Sequence, residues 1–192
     1  MISLVIGLGN VGRRYENTRH NLGFEVLDLV RKELKAGKKV KTATCYRSEK
    51  KLGERNIILA WPTTYMNLSG RAAFYLLETY QRPTSEMLVV VDDFNLPLGR
   101  VRFRRNGSDG GHNGLASLIE ELDTSNFPRF RLGIGPVPEN ESSVDFVLEK
   151  FSPSEEKTAK KMIAIAAEAV IFALHNRLEE AMSKYNNPAL PE

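Results

Sequence analysis

The sequence predicts a single α/β domain built on a mixed β-sheet with helices packed against it. Three observations carry that expectation. Short apolar runs rich in β-branched residues alternate along the chain with longer stretches whose apolar residues recur at helical spacing. Two of the short runs flank Gly53 as the arms of a hairpin would, so the sheet is not purely parallel. The 192 residues hold no internal repeat, linker or low-complexity tract, and they suit one domain, 1–192, with a sizeable core.

The elements follow in order. Residues 2–8 read as a strand around the apolar run at 4–6, and Leu22, Val26, Leu29 or Val30, and Leu34 mark a helix over about 21–35. Strands at 46–50 and 56–61 form the hairpin. "PTTYMNLSG" then leads into a helix ending near Tyr80, with Thr63 or Thr64 placed to cap it. The fully apolar run 88–91 suits a central strand, with Asp92 at its end. Residues 101–105 alternate as a strand does, and the glycine-rich "NGSDGGHNG" feeds a helix over 115–122. A strand at 130–134 precedes one long amphipathic helix, 153–185, and the tail 186–192 reads as frayed.

Composition excludes more than it selects. Apolar residues make up 42% and charged residues 27%, which suits a soluble globular chain. No apolar run approaches the roughly twenty residues of a membrane span, and no basic segment precedes an apolar one at the start. The single cysteine, Cys45, cannot form an internal disulfide, which fits a reducing compartment, by default the cytoplasm. Net charge is only +3, from 27 basic against 24 acidic residues, so distribution matters more than total. Two stretches are locally basic: "RKELKAGKKVK" at 31–41, which reads as a solvated helix end, and "RVRFRR" at 100–105.

The run "GLGNVG" at 7–12 has the spacing of a dinucleotide-binding turn, but its context does not. Such a turn opens a helix directly and is followed, about twenty residues on, by an acidic residue at a strand end. Here Gly12 leads into a polar stretch without apolar period, and Glu33 falls inside a helix. The glycines are expected instead to turn the strand end sharply, through positive φ, and to carry Asn10 to a surface.

Four loop stretches gather polar residues that core packing does not need: Asn10 with 19–21, then 65–67, then Asp92 and Asp93, then His112 and Asn113. Three directly follow strands, where α/β sheets usually bind ligands. His20 suits a general base, because a neutral imidazole accepts a proton near pH 7. Asp92 is placed either to orient that imidazole or simply to form a turn in "DDFNLPLG". Side-chain amides of Asn10, Asn67 and Asn113 would donate to a substrate oxyanion, although Asn113 suits an N-cap equally well. His112 reads as structural or substrate-adjacent, and His175 as unremarkable. No zinc-protease or serine-elbow spacing occurs, three scattered histidines make no metal site, and Cys45 reads as a buried thiol. On the strand at 101–105, Arg100, Arg102 and Arg104 share one face and Val101 and Phe103 the other. That row suits a phosphate backbone or a charged sheet edge. Residues 106–111 beside it would form a mobile flap.

Four blocks, "GLGNVGRRYENTRHNLGF", "PTTYMNLSG", "DDFNLPLGRVRFRRNGSDGGHNGL" and "FPRFRLGIG", together resemble the signature segments of bacterial peptidyl-tRNA hydrolase, in the right order over nearly the whole chain. The resemblance implies a twisted mixed sheet flanked by helices. It also implies a monomeric enzyme, without metal or cofactor, that cleaves the ester joining a peptide to the 3′ end of tRNA and so recycles tRNA from stalled translation. It assigns His20 as base, Asp92 as its orienting carboxylate, and Asn10 as reader of the first peptide bond. Tyr15, Tyr65, Asn67 and Asn113 would hold the peptide backbone and terminal nucleotides, with Met66 packed beside them and His112 adjacent. Arg104 and Arg131 stand where the family clasps the 5′ phosphate, and Arg102 and Arg105 would extend that patch. Val11 replaces a usual proline and Pro136 a frequent arginine. A non-catalytic RNA-binding relative, of the splicing type, is the alternative within the same family.

Overall fold

The structure, a computed structural model, describes residues 1–186; of the tail expected to fray, 187–192 lie outside the described residues. Seven strands form one mixed sheet: β1 (Leu4–Gly7), β2 (Val40–Lys41), β3 (Cys45–Leu52), β4 (Arg55–Pro62), β5 (Met87–Pro97), β6 (Val101–Arg104) and β7 (Arg129–Gly135). Their spatial order is β2-β3-β4-β1-β5-β7-β6. The pairs β1–β4, β1–β5 and β5–β7 are parallel, whereas β2–β3, β3–β4 and β6–β7 are antiparallel. Six α-helices accompany them: α1 (Leu22–Glu33), α2 (Ser69–Tyr80), α3 (Asn113–Leu122), α4 (Ser143–Leu148), α5 (Pro153–His175) and α6 (Leu178–Tyr185).

Strand alternation builds a core on each face of the sheet. Val5, Leu88 and Val90 pack with Val26 and Val30 of α1 and Ala166 and Val170 of α5. Leu4, Ile6, Val89 and Val91 pack with Ala72 and Leu76 of α2 and Leu115 and Leu118 of α3. Cys45 lies fully buried in the second layer. Among the described residues no helix is long and apolar enough to cross a membrane.

Four local expectations are corrected. The helix over 153–185 is two helices, because Asn176 adopts an extended backbone and ends α5. Its side-chain amide donates to the Phe172 carbonyl at 2.9 Å, and α6 starts anew two residues on. The helix after "PTTYMNLSG" starts only at Ser69, behind a 3-10 turn at Met66–Leu68, so neither threonine caps it. β5 runs six residues beyond Val91, which places Asp92 inside a strand rather than in a turn. Asn186, expected to fray, is held: its side chain accepts from the Phe103 amide at 2.7 Å and donates to the Phe103 carbonyl at 3.1 Å. The helix α4 and the short edge strand β2 had no counterpart in the sequence reading.

The glycines of "GLGNVG" do not act alike. Only Gly12 takes a positive φ, 121°. Gly7 is needed for close approach, since a Cβ there would overlap the Gly23 carbonyl on α1. The first turn of α1 therefore rests directly on the end of β1. Gly7→Ala should force the two elements apart and lower stability by roughly 1–3 kcal/mol, as overpacking does, read as a lower urea midpoint at unchanged slope. An unchanged midpoint would show that this contact does not fix α1.

Candidate active site

Just beyond the carboxyl end of β1, within β5, one carboxylate holds two imidazoles. Asp92 is 2% exposed, and its oxygens lie 3.0 and 3.1 Å from His20 Nδ1. Its Oδ1 is also 3.2 Å from His112 Nε2. His112 is the N-cap of α3, and its Nδ1 accepts the amide hydrogens of Gly114 at 3.0 Å and Leu115 at 3.3 Å. A nitrogen facing two N–H donors carries no proton itself, so the His112 proton sits on Nε2 and is donated to Asp92. The cap is thus His112 and not Asn113, which is the first residue of the helix. An imidazole caps here because the same ring must reach Asp92.

His20 sits in a 3-10 turn, Arg19–Asn21, that precedes α1. Its Nδ1–H donates to Asp92, which leaves Nε2 as the ring's acceptor. Burial disfavours the imidazolium of His20, but the charge and hydrogen bond of Asp92 outweigh it, and the pKa lies above 6.5. For Asp92 burial raises the carboxyl pKa, whereas His20 and His112 lower it by more, so it stays ionised well below the usual carboxylate range.

His20, Asp92, His112, Met66, Asn113 and Phe94 line a cavity of about 160 Å³, closed on one side by Val144, Val147 and Leu148 of α4. That apolar wall is anchored to the histidine's own turn. Arg19 donates to the Phe146 carbonyl at 3.2 Å, pairs with Glu155 at 3.0 Å, and stacks 4.2 Å from the Phe146 ring. Sequence reasoning missed both α4 and the role of Arg19, although Ser142 three residues before Asp145 is an N-cap signal.

Asn10 is not among the residues lining the cavity, but it is tied to this turn. Its amide donates to Asn21 Oδ1 at 2.7 Å, and Asn21 Nδ2 donates back to its carbonyl at 3.0 Å. Asn21, buried beside His20, was not picked out as that clamp. Asn67 and Tyr65 are exposed at the 3-10 turn holding Met66, and Tyr15 bonds through its hydroxyl to Arg14. These three also lie outside the cavity lining.

The arginines gather on the far edge of the sheet. Arg102 opposes Arg131 and Arg104 opposes Arg129 across β6 and β7, with Val101 and Phe103 buried on the other face. Arg100 and Arg105 fall outside β6, which the sequence reading ended one residue later. Arg131 pairs through Nε with Asp93 Oδ2 at 2.7 Å, and Arg105 pairs with Glu179. Arg129, which sequence reasoning passed over, is 1% exposed. It donates to the carbonyls of Gly107, Ser108 and Ser125 at 2.8–2.9 Å. With Asn95 Nδ2 donating to the Gly110 carbonyl at 3.0 Å, the segment 106–111 is tethered, which counts against a freely moving flap.

His20, Asp92 and His112 each offer a ligand atom within 4.8 Å of the others, a spacing that suggests a metal. The hydrogen bonds argue against one. Nε2 of His112 holds the ring's proton, and Nδ1 is committed to two amides, so neither nitrogen has a lone pair for an ion.

A family model described as peptidyl-tRNA hydrolase matches residues 4–192. The peptidyl-tRNA hydrolase of Aquifex aeolicus is 44% identical over 98% of both chains. That of a Sulfurihydrogenibium species is 43% identical over 97% of this chain and 98% of its own. Among solved structures, the Acinetobacter baumannii peptidyl-tRNA hydrolase superposes with a TM-score of 0.89 at 29% identity, covering 96% of this chain and 94% of that one. A peptidyl-tRNA hydrolase in complex with N-propanol reaches 0.90, also at 29% identity, over 98% and 97%. By the family model and the curated relatives, the chain belongs to the peptidyl-tRNA hydrolase family.

Proposed function

We propose that this protein hydrolyses the ester between a peptide and the 3′ end of tRNA, with His20 as general base. The observation that carries this reading is the hydrogen bond from His20 Nδ1 to a buried, ionised Asp92 at 3.0 Å, which leaves Nε2 free to accept a proton. Nε2 draws a proton from water as the water attacks the ester carbonyl carbon. The imidazolium so formed is stabilised by Asp92 and then gives its proton to the departing 3′ oxygen of the ribose. The side-chain amide of Asn113, which lines the cavity, donates to the oxyanion, and such a donor is worth about 3 kcal/mol of barrier; Asn10 and Asn67, outside that lining, are left to the peptide and the terminal nucleotides. The apolar wall of α4 keeps bulk water from the carbonyl and takes the adjoining peptide side chain.

Other roles rest on position. Asn10, fixed by Asn21, reads the first peptide bond, and Tyr15, Tyr65 and Met66 border the peptide and the terminal nucleotides. Of the two like-charged pairs, Arg102 opposite Arg131 and Arg104 opposite Arg129, Asp93 and three carbonyls offset the charge of Arg131 and Arg129, and an anion beside Arg102 and Arg104 would offset the rest. We assign Arg104 and Arg131 to a terminal phosphate of the RNA, with Arg102 and Arg105 extending the patch. The enzyme would act as a cytoplasmic monomer without metal or cofactor.

His20→Ala should lower turnover of N-acetyl-aminoacyl-tRNA by roughly 10² to 10⁴ while leaving tRNA affinity nearly intact. A non-catalytic RNA-binding relative would instead show no hydrolysis in the unsubstituted protein, and an equal loss of binding would take the base role from His20. The pH profile gives a second check. The base works as neutral imidazole and its pKa is raised, so kcat/KM should fall on the acid side with an apparent pKa above 6.5. Asp92→Asn removes the raising charge but not the burial. Its acid limb should move to lower pH, with turnover reduced by up to about 10⁴, as where an imidazole loses its orienting carboxylate. An unmoved limb would mean that another group titrates.

A further inference from the structure

Arg19 ties the His20 turn both to the α4 wall and to the start of α5. Its buried guanidinium lies 4.2 Å from the Phe146 ring and 5.3 Å from that of Phe151. Nη1 donates to the Phe146 carbonyl at 3.2 Å, and Nη2 donates to Glu155 Oε2 at 3.0 Å. A second carboxylate, Glu149, stands 3.7 Å from Nη1, but its side chain is mostly in solvent. Oε2 of Glu155 is engaged three times, because it also accepts from the amide and the hydroxyl of Ser152, both at 2.8 Å. The bonds with Ser152 belong to the capping box of α5 and complete what that helix start needs. The third bond, to Arg19, serves no helix end.

We infer that Glu155 is a positioning residue for the hydrolysis, acting through Arg19 on the base and on the apolar wall together. The inference rests on the proposed action on peptidyl-tRNA and adds to it a residue outside the cavity lining. A guanidinium is a rigid planar fork, and here one prong meets α4 while the other meets α5. Glu155, held by Ser152, sets the plane of that fork. The fork in turn sets where the Phe146 carbonyl stands, and with it Val147 and Leu148, which face the cavity. His20 follows Arg19 directly in the same 3-10 turn, so a displaced Arg19 also shifts the imidazole against Asp92. A misplacement of about 1 Å at a reacting group costs up to about 10²-fold in rate. A pair that only fastened the turn to the helix would leave catalysis unchanged for as long as the fold persists. The two roles therefore part on kinetics and not on stability.

Glu155→Gln tests this, since glutamine keeps an acceptor for the Ser152 amide and loses the charge that orders Arg19. Two substrates, N-acetylphenylalanyl-tRNA and N-acetylglycyl-tRNA, differ in what they press against the wall. Expected is a kcat about 5- to 50-fold lower on both, with KM about 3- to 10-fold higher for the phenylalanyl substrate alone. Ser152→Ala weakens the same capping box without touching Arg19, and it should lower the urea midpoint while leaving kcat and KM in place. Arg19→Lys keeps the charge but cannot reach Phe146 and Glu155 together, so it should repeat the pattern even where Glu155→Gln does not fold. The His20 ring signal in an NMR spectrum, assigned by its loss in His20→Ala, reads the coupling without hydrolysis. It should shift in Glu155→Gln and stay in Ser152→Ala, so a protein without hydrolysis would count against the proposed reaction and not against this coupling. Unchanged kcat and an unmoved His20 signal in Glu155→Gln, or equal losses in Ser152→Ala, would overturn the inference.

Discussion

A carboxylate in a nearly dry sheet end organises this molecule. Asp92 is 2% exposed, and an unpaired charge at such depth costs several kcal/mol. Two imidazole N–H groups offset that cost, and each comes from an element that must be held in place to deliver it. His112 is held because its other nitrogen caps α3. His20 is held because Asn21 and Arg19, its neighbours in the same 3-10 turn, are bonded to Asn10, Phe146 and Glu155. The ionised state of Asp92 and the architecture of the cavity are therefore one fact seen from two sides.

The strand that carries Asp92 also explains how two distant tasks are joined. Successive residues of a strand face opposite sides of the sheet. Asp92 lies on the side of α1 and meets the imidazoles, while Asp93 turns to the side of α2 and α3 and meets Arg131. In register Arg131 pairs with Val91, on the face Asp93 shares. Two adjacent acids thus hold His20 and Arg131, on opposite sides of the sheet, through one backbone. This requires β5 to remain a strand past its apolar part, as it does to Pro97.

Much of this was legible from residue pattern because burial follows period. The helix over α1, the hairpin around Gly53 and the alternating "RVRFRR" each write their exposure into the sequence. His20 was legible as a candidate because an imidazole that titrates near pH 7 stands in a polar cluster beside a glycine-rich turn, and Asp92 because an acid directly follows a fully apolar strand run. What escaped depends on partners far away in the chain. β5 continues through "DDFNLP" because β7 offers parallel partners, which the local turn formers do not reveal. Asn176 breaks a run with good helical periodicity. Arg129 looks like one more surface cation until the carbonyls of a loop some twenty residues away are seen to surround it. Asn21 and Arg19 look like members of a polar cluster, and only geometry separates the residue that meets Asp92 from those that hold its turn.

The glycine motif shows how the same letters serve a different chemistry. In a dinucleotide turn the helix begins at the third glycine, and its free amides point at a pyrophosphate. Here the first glycine also lets β1 and α1 touch, at Gly7 and Gly23, but two 3-10 turns, Arg13–Tyr15 and Arg19–Asn21, are inserted before the helix starts. The insertion fills the space over the helix end with the chain's own groups, the Asn10 backbone and the His20 ring. An anion site at that helix end is thereby exchanged for one that presents an imidazole and an asparagine. Such a site suits attack by water on a neutral carbonyl, where charge appears only in the transition state and has to be met by groups fixed beforehand.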